Sequence, residues 1–373
     1  MRTRRHRNRS GNVAILAAVM MIVVFALAVF AVDLGYLYVV RTEEQRAADA
    51  AAMAAAWELW EKEGPPQTGN PLDDVAPARA VAAQYAGLNS VAALPLELAA
   101  EDVEIGYLQS DGQIGAATTS RIATRVHIRR TPDQNGEIVL FLGGLLGRAT
   151  SSVQAQATAV YGNDFSGFKT PSNGENLDIL PFAIDKETWD LLLQGNGTDD
   201  WTWDSDEEQV SAGPDGILET NLYPGKNAGA PGNRGTVDVG NPNNSTADLK
   251  RQILYGVTPE DLSWHDGELK LDENGELLLN GDTGISAAVK DQLEQIIGQP
   301  RIVPIFTQLQ GNGNNAYYTI VQFAGVRIME VKLTGNKKQV VVQPAKISTL
   351  GGIPAEPGTE TSFYILSPVH LYR

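Results

Sequence analysis

The sequence predicts an α+β fold in which a long N-terminal transmembrane helix precedes exported domains built on antiparallel sheets, with a β-rich second half. Residues 13–32 contain no charged or strongly polar side chain, and residues 41–63 are rich in Ala, Glu, Arg and Gln, which favour helix. After residue 100, short runs alternate apolar and polar residues between turn-forming Gly, Asn and Asp. These patterns predict a long helix first and sheets afterwards.

Residues 1–12 are predicted to be a basic cytoplasmic tail. The whole chain has 45 acidic and 29 basic residues and a formal net charge of -16, but its first ten residues hold no acid. Lys and Arg concentrate on the cytoplasmic side of membrane helices. We therefore expect the tail to keep the N-terminus in the cytoplasm and to place the body on the far side of the membrane. The arginines that carry this prediction are Arg4, Arg5, Arg7 and Arg9.

Residues 13–63 are predicted to form one helix, in which a membrane-spanning part continues into an Ala-rich exported extension. Twenty helical residues are about 30 Å long, which matches the hydrocarbon thickness of a bilayer. Cleavage as a signal peptide, near Ala28 or Ala31, is the alternative. The anchor is favoured, because the apolar run is longer than a usual signal-peptide core and because Tyr36 and Tyr38 suit the interfacial aromatic belt.

Residues 64–162 are predicted to form an α+β exported module. Residues 138–147 are apolar but too few to span a bilayer as a helix, so we expect them to pack in the core. A stretch rich in Gly, Ser and Asn, residues 163–176, is the predicted linker to the second half. The other elements expected in this module are a Pro-rich connection over 65–77, a helix over 78–88, and strands over 102–108, 121–130 and 152–161.

Residues 177–373 are predicted to form the β-rich exported domain. Asp185 can cap a helix that reaches Gln194, and a capped helix is expected over 245–255. Residues 268–271 and 276–279 flank a turn and predict a β-hairpin. The other expected elements are a buried strand over 177–184, a helix from Asp282 or Thr283 to Gly298, and strands over 301–306, 317–323, 326–333 and 339–342.

One acidic loop in this half is a candidate cation site, because Ca²⁺ prefers clustered oxygen ligands. No Gly occupies the sixth position of an EF-hand loop counted from any of its Asp residues. A solvated acidic loop anchored by Trp201 and Trp203 is therefore the favoured interpretation, and no other cofactor is expected. The candidate calcium ligands are Asp199, Asp200, Asp204 and Asp206.

The residues that enzymes need for catalysis are scarce in this sequence. The chain has no Cys and only four His, which are far apart, and it lacks G-x-S-x-G, H-E-x-x-H and G-x-x-x-x-G-K-[ST] motifs. His265, beside Asp266 and Gly267, is interpreted as part of a turn. These observations predict a protein that is not an enzyme, and the acidic body argues against nucleic acid as a partner.

A pattern within the first fifty or so residues resembles a known family. It consists of Gly11-Asn-Val-Ala, an apolar run, Val32-Asp33-Leu34-Gly35, Gln45, and Ala47-Ala48-Asp49-Ala50-Ala51-Ala52. This pattern resembles the N-terminal Tad domain of TadG-like Flp (tight adherence) pilus-assembly proteins. Further segments are similar to later patterns of that family, namely 125–130, 141–147 and 153–159, and more weakly 232–239 and 301–306.

The resemblance implies a single-pass protein of the bacterial inner membrane with a periplasmic or extracellular body. It implies a non-enzymatic structural or assembly component of a Tad/Flp pilus or related secretion system, whose partners are the lipid bilayer and other pilus-assembly components or pseudopilins. No D-x-S-x-S motif is present, which indicates the form without a von Willebrand A domain. Gly11 is followed five residues later by Leu16 rather than Glu, so prepilin processing is not expected. The alternative function is a cell-surface or periplasmic binding module that resembles an adhesin.

Two features of the predicted helix each leave two interpretations open. Small residues at four-residue spacing let helices approach closely. Ala48, Ala52 and Ala56 can therefore pack against a pilin, a pseudopilin or a second copy of this chain, or against the protein's own domain. Asp33, at the outer edge of the apolar run and beside Gly35, can contact a partner or be solvated at the membrane interface.

Overall fold

The computed structural model describes residues 10–65, 70–116, 119–141, 143–222, 235–241, 245–283, 286–311, 313–335, 338–356 and 359–372. The first helix has 53 residues, as the apolar run and its helix-forming extension predict. It stops just before Gly64, whose φ of 121° is a conformation that favours glycine. The helices are α1 (Ser10–Lys62), α2 (Ala76–Leu88), α3 (Lys186–Leu193), α4 (Thr246–Tyr255), α5 (Pro259–Leu262) and α6 (Lys290–Gln295).

Strands make up most of the regular structure after α2. They are β1 (Val103–Leu108), β2 (Ile114–Gly115), β3 (Arg121–Arg130), β4 (Ile138–Val139), β5 (Thr150–Ser151), β6 (Val153–Gly162), β7 (Phe165–Lys169), β8 (Ile184–Asp185), β9 (Trp201–Asp204), β10 (Gln209–Ala212), β11 (Thr220–Asn221), β12 (Thr236–Val237), β13 (Glu268–Lys270), β14 (Leu277–Asp282), β15 (Pro300–Gln310), β16 (Ala316–Lys332), β17 (Gln339–Pro344), β18 (Ile347–Ser348), β19 (Gly352–Pro354), β20 (Ser362–Phe363), β21 (Ile365–Leu366) and β22 (His370–Tyr372).

The Ala-rich half of α1 packs on a five-stranded antiparallel sheet of strand order β2-β1-β3-β6-β22, and α2 packs on α1. The central pair, β3 and β6, runs in register from Arg121 opposite Gly162 to Arg130 opposite Val153. Alternating residues of β3, including Ile122 and Val126, bury their side chains in the core shared with α1. A helix layer on an antiparallel sheet confirms the predicted α+β fold class.

The second half is organised around β16, a strand of 17 residues. It pairs in antiparallel fashion with β14, β15 and β17, within a sheet of eight strands. Helices α3, α4 and α6 contribute Trp189, Leu249 and Leu293 to one buried cluster with this sheet. A second cluster includes Phe168 and Phe323, whose rings meet edge to face at 5.0 Å, and joins the sheet to the three-stranded sheet β13-β7-β19.

The C-terminal end of α1 contacts the second half of the chain directly. Trp60 Nε1 donates a hydrogen bond to the carbonyl oxygen of Ser367 at 3.1 Å. Lys346 Nζ lies 4.0 Å from the centroid of the Trp60 ring and donates to the Trp60 carbonyl oxygen at 3.2 Å. The last strand, β22, pairs with β6 of the first sheet. Helix α1 therefore connects the apolar N-terminal segment to both parts of the body.

The prediction that residues 138–147 pack in the core is wrong for most of the described segment. Ile138 is buried, but Val139 is 69% exposed and Phe141 is 67% exposed. Residues 143–146 form a short 3-10 helix that contacts α1. The apolar composition indicated burial, whereas the chain leaves Val139 and Phe141 uncovered.

One prediction about strand pairing is also corrected. The expected hairpin of 268–271 with 276–279 has its turn, in which Asp272 N–H donates to the Glu276 carbonyl at 2.8 Å, but the strands separate. β13 pairs with β7 and β14 pairs with β16, because their apolar side chains are buried against those partners. The same β7 lies inside the predicted linker 163–176, and β22 of the predicted second domain belongs to the first sheet.

Three predicted elements have different lengths in the structure. Residues 177–184, apart from the exposed Asp178, are buried but irregular up to β8, because Pro181 has no N–H to donate to a ladder. The helix expected from Asp282 or Thr283 begins later, with Ser286 as the cap of a 3-10 turn that precedes α6. The strands expected on either side of Gly325 are one strand, β16, because the absent Cβ of Gly325 leaves room for the Ala345 carbonyl.

Candidate functional site

The N-terminal half of α1 is the first part of the candidate site. It contains an 18-residue window with a mean hydropathy of 3.1, of which 0% is buried within the protein. By length and composition this helix can cross a membrane. Side chains such as Ile22 (68% exposed) and Phe25 (64% exposed) form an apolar surface that needs a cover of lipid or protein. Arg4, Arg5, Arg7 and Arg9 lie outside the described residues, so the topology they predict remains a prediction.

Asp33 lies where the body begins to cover α1. Its side chain is 7% exposed, and Oδ1 accepts a hydrogen bond from the N–H of Phe141 at 2.8 Å. The ring of Tyr36 meets the ring of Phe141 edge to face, with centroids 4.8 Å apart. Asp33 thus binds its own chain, a contact that neither of the two interpretations from the sequence included. Gly35 faces open space, with no other described part of the chain within 4 Å of the position of a Cβ.

The Ala-rich face of α1 lies in the protein's own core. Ala48 and Ala52 are 0% exposed and Ala56 is 1% exposed. They belong to the same buried cluster as Val126 of β3 and Ala82 of α2. Packing against the protein's own domain is therefore the arrangement present. These residues are not accessible to a second helix in this arrangement, which agrees with the second of the two interpretations left open by the sequence, packing against the protein's own domain.

One carboxylate interrupts that apolar face. Glu44 is 0% exposed, and neither of its carboxylate oxygens has a hydrogen-bond partner among the described residues. Burial raises the pKa of Glu44 from 4.5 to about 7, and the positive charges of Arg130 and Arg41 partly oppose this rise. Arg130, at the end of β3, is itself only 2% exposed. The core between α1 and the first sheet therefore contains a buried acid and a buried base.

The four candidate calcium ligands do not come together. Asp199 accepts hydrogen bonds from the N–H groups of Asp215 and Gly216, at one end of the hairpin β9–β10. Asp204 accepts from the N–H groups of Asp206 and Glu207 at the other end, so β9 separates the two pairs by roughly 10 Å. Across the described residues, no group of three or more His, Asp or Glu side chains is placed to hold a metal ion.

We expect the protein to melt at the same temperature with added Ca²⁺ and with EDTA. A ligand stabilises a folded protein only when it binds the folded state more tightly than the unfolded state. The Asp199 and Asp204 carboxylates are already bonded to backbone N–H groups of turns. Thermal unfolding followed by tryptophan fluorescence measures this, and a rise in Tm with Ca²⁺ that EDTA reverses would contradict it.

The same hairpin forms one wall of a polar cleft of about 930 Å³. Trp203 holds the hairpin to the body, because the guanidinium of Arg327 lies 4.2 Å from its ring centroid. The lining of the cleft includes Asp200, Trp201, Glu330 and Gln339. Carboxylate and amide groups beside an aromatic ring can bind a polar ligand. The anchored acidic loop favoured from the sequence is therefore also part of a concave surface.

His265 ends a 3-10 turn, as the sequence suggested, and Asp266 after it is left-handed with φ 55°. Burial lowers the pKa of His265, while the charges of Asp266 and Asp261 partly oppose this shift. The Asp261 carboxylate is already bound by Arg251 at 2.6 and 2.9 Å. It is therefore not oriented to act with His265 as an acid–base pair.

Two residues of this site were missed by reasoning from the sequence. Glu44 lies four residues after Val40 and four before Ala48, on the face that the Ala pattern defines, so helical periodicity could have found it. Phe141 meets Asp33 across a separation of 108 residues, and no local pattern indicates such a contact.

Residues 11–58 match the family model Tad, described as "Putative Flp pilus-assembly TadE/G-like". The matched range covers the apolar half of α1 and most of its Ala-rich half, including Asp33 and Glu44. The comparison with curated proteins and the comparison with solved structures found no match. The N-terminal part of this chain, residues 11–58 within helix α1, is therefore similar to the TadE/G-like Tad domain, which is described as a putative Flp pilus-assembly domain.

Proposed function

We propose that this protein is a membrane-anchored structural or assembly component of a Tad/Flp pilus or a related secretion system, and that it catalyses no reaction. The observation that carries the proposal is the division of α1 into two halves. The half within the apolar window is 0% buried, whereas the Ala-rich half is the central helix of the first core. Both halves lie within or beside the Tad match at residues 11–58.

The continuity of α1 supports a role as a rigid support. The helix runs for 53 residues and is packed on β3 and β6 in its second half. Its end is fixed to the C-terminal part of the chain by Trp60, Ser367 and Lys346. A helix fixed in this way holds the exported body at a constant height above the membrane and transmits any movement of the anchor to the body.

The proposed location is the inner membrane, with the N-terminus in the cytoplasm and the body in the periplasm or outside the cell. The acid-free arginine tail before the apolar run supports this orientation. The proposed partners are other pilus-assembly components or pseudopilins. Because the Ala-rich face is buried in the core, a partner helix in the membrane would meet the exposed apolar residues of 13–32 instead.

We expect the full-length protein, tagged at its C-terminus, to sediment with membranes and to be released by detergent but not by alkaline carbonate. A single apolar span holds a protein in the bilayer, whereas carbonate strips proteins attached by charge alone. Protease added to intact spheroplasts should digest the body, because the arginines keep only the tail inside. The measurement is an immunoblot of each fraction.

Two results would contradict this expectation. Recovery of a shortened, soluble form would show that the helix is cleaved near Ala28 or Ala31. Protection of the body from external protease would show the opposite orientation. A cytoplasmic protein blotted in the same samples is the control for spheroplast integrity.

A second candidate function is a binding module at the cell surface, supported by the cleft that Trp201 and the carboxylates of Asp200 and Glu330 line. Deleting the gene separates the two functions. Loss of pili supports the assembly role, whereas intact pili with lost attachment to surfaces support the binding module.

A further inference from the structure

The segment 138–141 follows β3 and ends against α1, and we call it the foot segment. Its backbone is fixed at several points. Ile138 and Val139 pair with β5, and Leu140 N–H donates to the Ala149 carbonyl at 2.9 Å. The N–H of Phe141 donates to Asp33 Oδ1 at 2.8 Å. The foot segment is therefore an ordered part of the fold that presents its side chains in a defined place.

The side chains presented in this way are apolar and uncovered. Val139 is 69% exposed, and Phe141 is 67% exposed even though its ring meets the Tyr36 ring edge to face. Residues 139–147 contain no charged side chain. Single exposed apolar side chains are common, but Phe141 contacts Tyr36 and so adjoins the exposed apolar surface of α1, and contiguous apolar patches mark contacts with protein or membrane. The exposure of Val139 and Phe141 therefore points to an apolar surface that covers them.

The height of the foot segment along α1 indicates which surface this is. Asp33 is the first residue after the uncharged stretch 13–32, which as a helix is about 30 Å long, the thickness of the hydrocarbon core. Asp33 thus lies at the boundary between acyl chains and headgroups. Because Phe141 is hydrogen-bonded to Asp33, it lies at the same boundary, and any tilt of the helix moves both residues together.

The surface of α1 just beyond this boundary has the chemistry of a lipid interface. Leu34 (55% exposed) and Tyr38 (75% exposed) continue the apolar surface outward. A groove of about 560 Å³ lies beside them, lined by Leu37, Arg41 and residues 151–154. The Cα of Arg41 is about 12 Å above that of Asp33 by helical rise, and its long side chain can reach lipid phosphates from there. Apolar side chains below a cation match the order of acyl chains below headgroups.

We propose that the foot segment inserts Val139 and Phe141 into the bilayer leaflet that faces the body, as a second lipid contact beside the transmembrane part of α1. This inference rests on the membrane anchoring proposed above. One helix alone leaves the body free to tilt about its exit from the membrane. A second contact next to Asp33 limits that tilt and fixes which side of the body faces the membrane.

The chain has no Cys, so single-cysteine variants can be labelled with a nitroxide without other changes. Four full-length variants are compared in phospholipid vesicles: Phe141→Cys, Val139→Cys, Val32→Cys in the helix, and Leu278→Cys on the body, which is 60% exposed. Power-saturation electron paramagnetic resonance measures contact of each label with oxygen, which enriches in lipid, and with a water-soluble nickel complex. We expect oxygen contact to exceed nickel contact at positions 32, 139 and 141, and the ratio to be reversed at 278.

Each other outcome overturns the proposal in a recognisable way. Labels at 139 and 141 that prefer nickel, while the label at 32 prefers oxygen, would leave the anchor intact and remove the lipid contact. Labels at 139 and 141 that neither reagent reaches would show that protein covers the foot segment, such as a second copy. A label at 32 that prefers nickel would refute the membrane anchor itself. The label at position 139 keeps the test valid if the Phe141 variant fails to fold.

Discussion

Replacing Arg130 by methionine is expected to lower the free energy of unfolding by about 3–5 kcal/mol, because a buried charged group leaves its partners unpaired when it is removed. The Arg130 guanidinium donates to four backbone carbonyls, those of Asn135 (2.6 Å), Val91 (3.1 Å), Leu94 (3.3 Å) and Pro95 (3.1 Å). Methionine keeps most of the side-chain volume but offers these oxygens no donor. Urea unfolding of the full-length protein in detergent, followed by tryptophan fluorescence, measures the loss.

The matched control is Arg121→Met, at the other end of β3. Arg121 is exposed, so the same substitution should change the unfolding free energy by less than about 0.5 kcal/mol. Equal effects of the two substitutions would contradict the prediction and would show that water satisfies the four carbonyls. The result matters for function, because Arg130 ties the loop after α2 to the sheet on which α1 rests.

Helix α1 and the central strands could be predicted because their signals are local. No Gly or Pro interrupts the helix-forming extension before Gly64, and a charge-free run of twenty residues precedes it. In β3, alternation of Ile122, Val126 and Ile128 with polar residues indicated both the strand and its buried face. Such patterns need no knowledge of the partner strand.

The sequence could not predict which strands pair or what covers each apolar segment, since both depend on residues that are distant in sequence. The pattern around the turn at 272–276 favours a hairpin, but Leu269 pairs with Phe168 of β7. Likewise, the apolar composition of 138–147 says that the segment avoids water, but not whether protein or lipid covers it. The contact of Phe141 with Asp33 of α1, which is 108 residues earlier in the chain, places that segment against the helix.

The helix face shows a further limit of local patterns. Alanine at four-residue spacing fits both a partner helix and the protein's own sheet, and the sequence holds no signal that separates the two. The structure buries Ala48, Ala52 and Ala56 under β3 and β6, together with Glu44. A carboxylate on such a face is costly to bury, and its cost depends on pH.

Replacing Glu44 by glutamine is expected to make the protein more stable at about pH 8, by up to roughly 3 kcal/mol, and to change little at about pH 5. The pKa of Glu44 is raised from 4.5 to about 7 in the folded protein, chiefly by burial. A raised pKa means that the native protein keeps this proton more tightly than the unfolded chain does. The wild type therefore loses stability as the pH rises from 4.5 through 7, and the glutamine variant has no such loss at this position. Urea unfolding at the two pH values measures the difference.

The control for this substitution is Glu61→Gln on the same helix, whose side chain is 66% exposed. It should change the unfolding free energy by less than about 0.5 kcal/mol at either pH. If Glu44→Gln is no more stable than the wild type at the higher pH, then the Glu44 carboxylate is satisfied in the folded protein and the proposed cost of burial is absent.

Arg130 and Glu44 should also depend on each other, because the charge of Arg130 opposes the rise in the pKa of Glu44. Without Arg130 the ionised carboxylate has one less nearby cation. The cost of Arg130→Met is therefore expected to be larger at about pH 8 than at about pH 5. In a Glu44→Gln background this pH dependence should vanish, while the cost of the four unpaired carbonyls remains. A double-mutant cycle at the two pH values separates the two contributions, since only the interaction between the charges changes with pH.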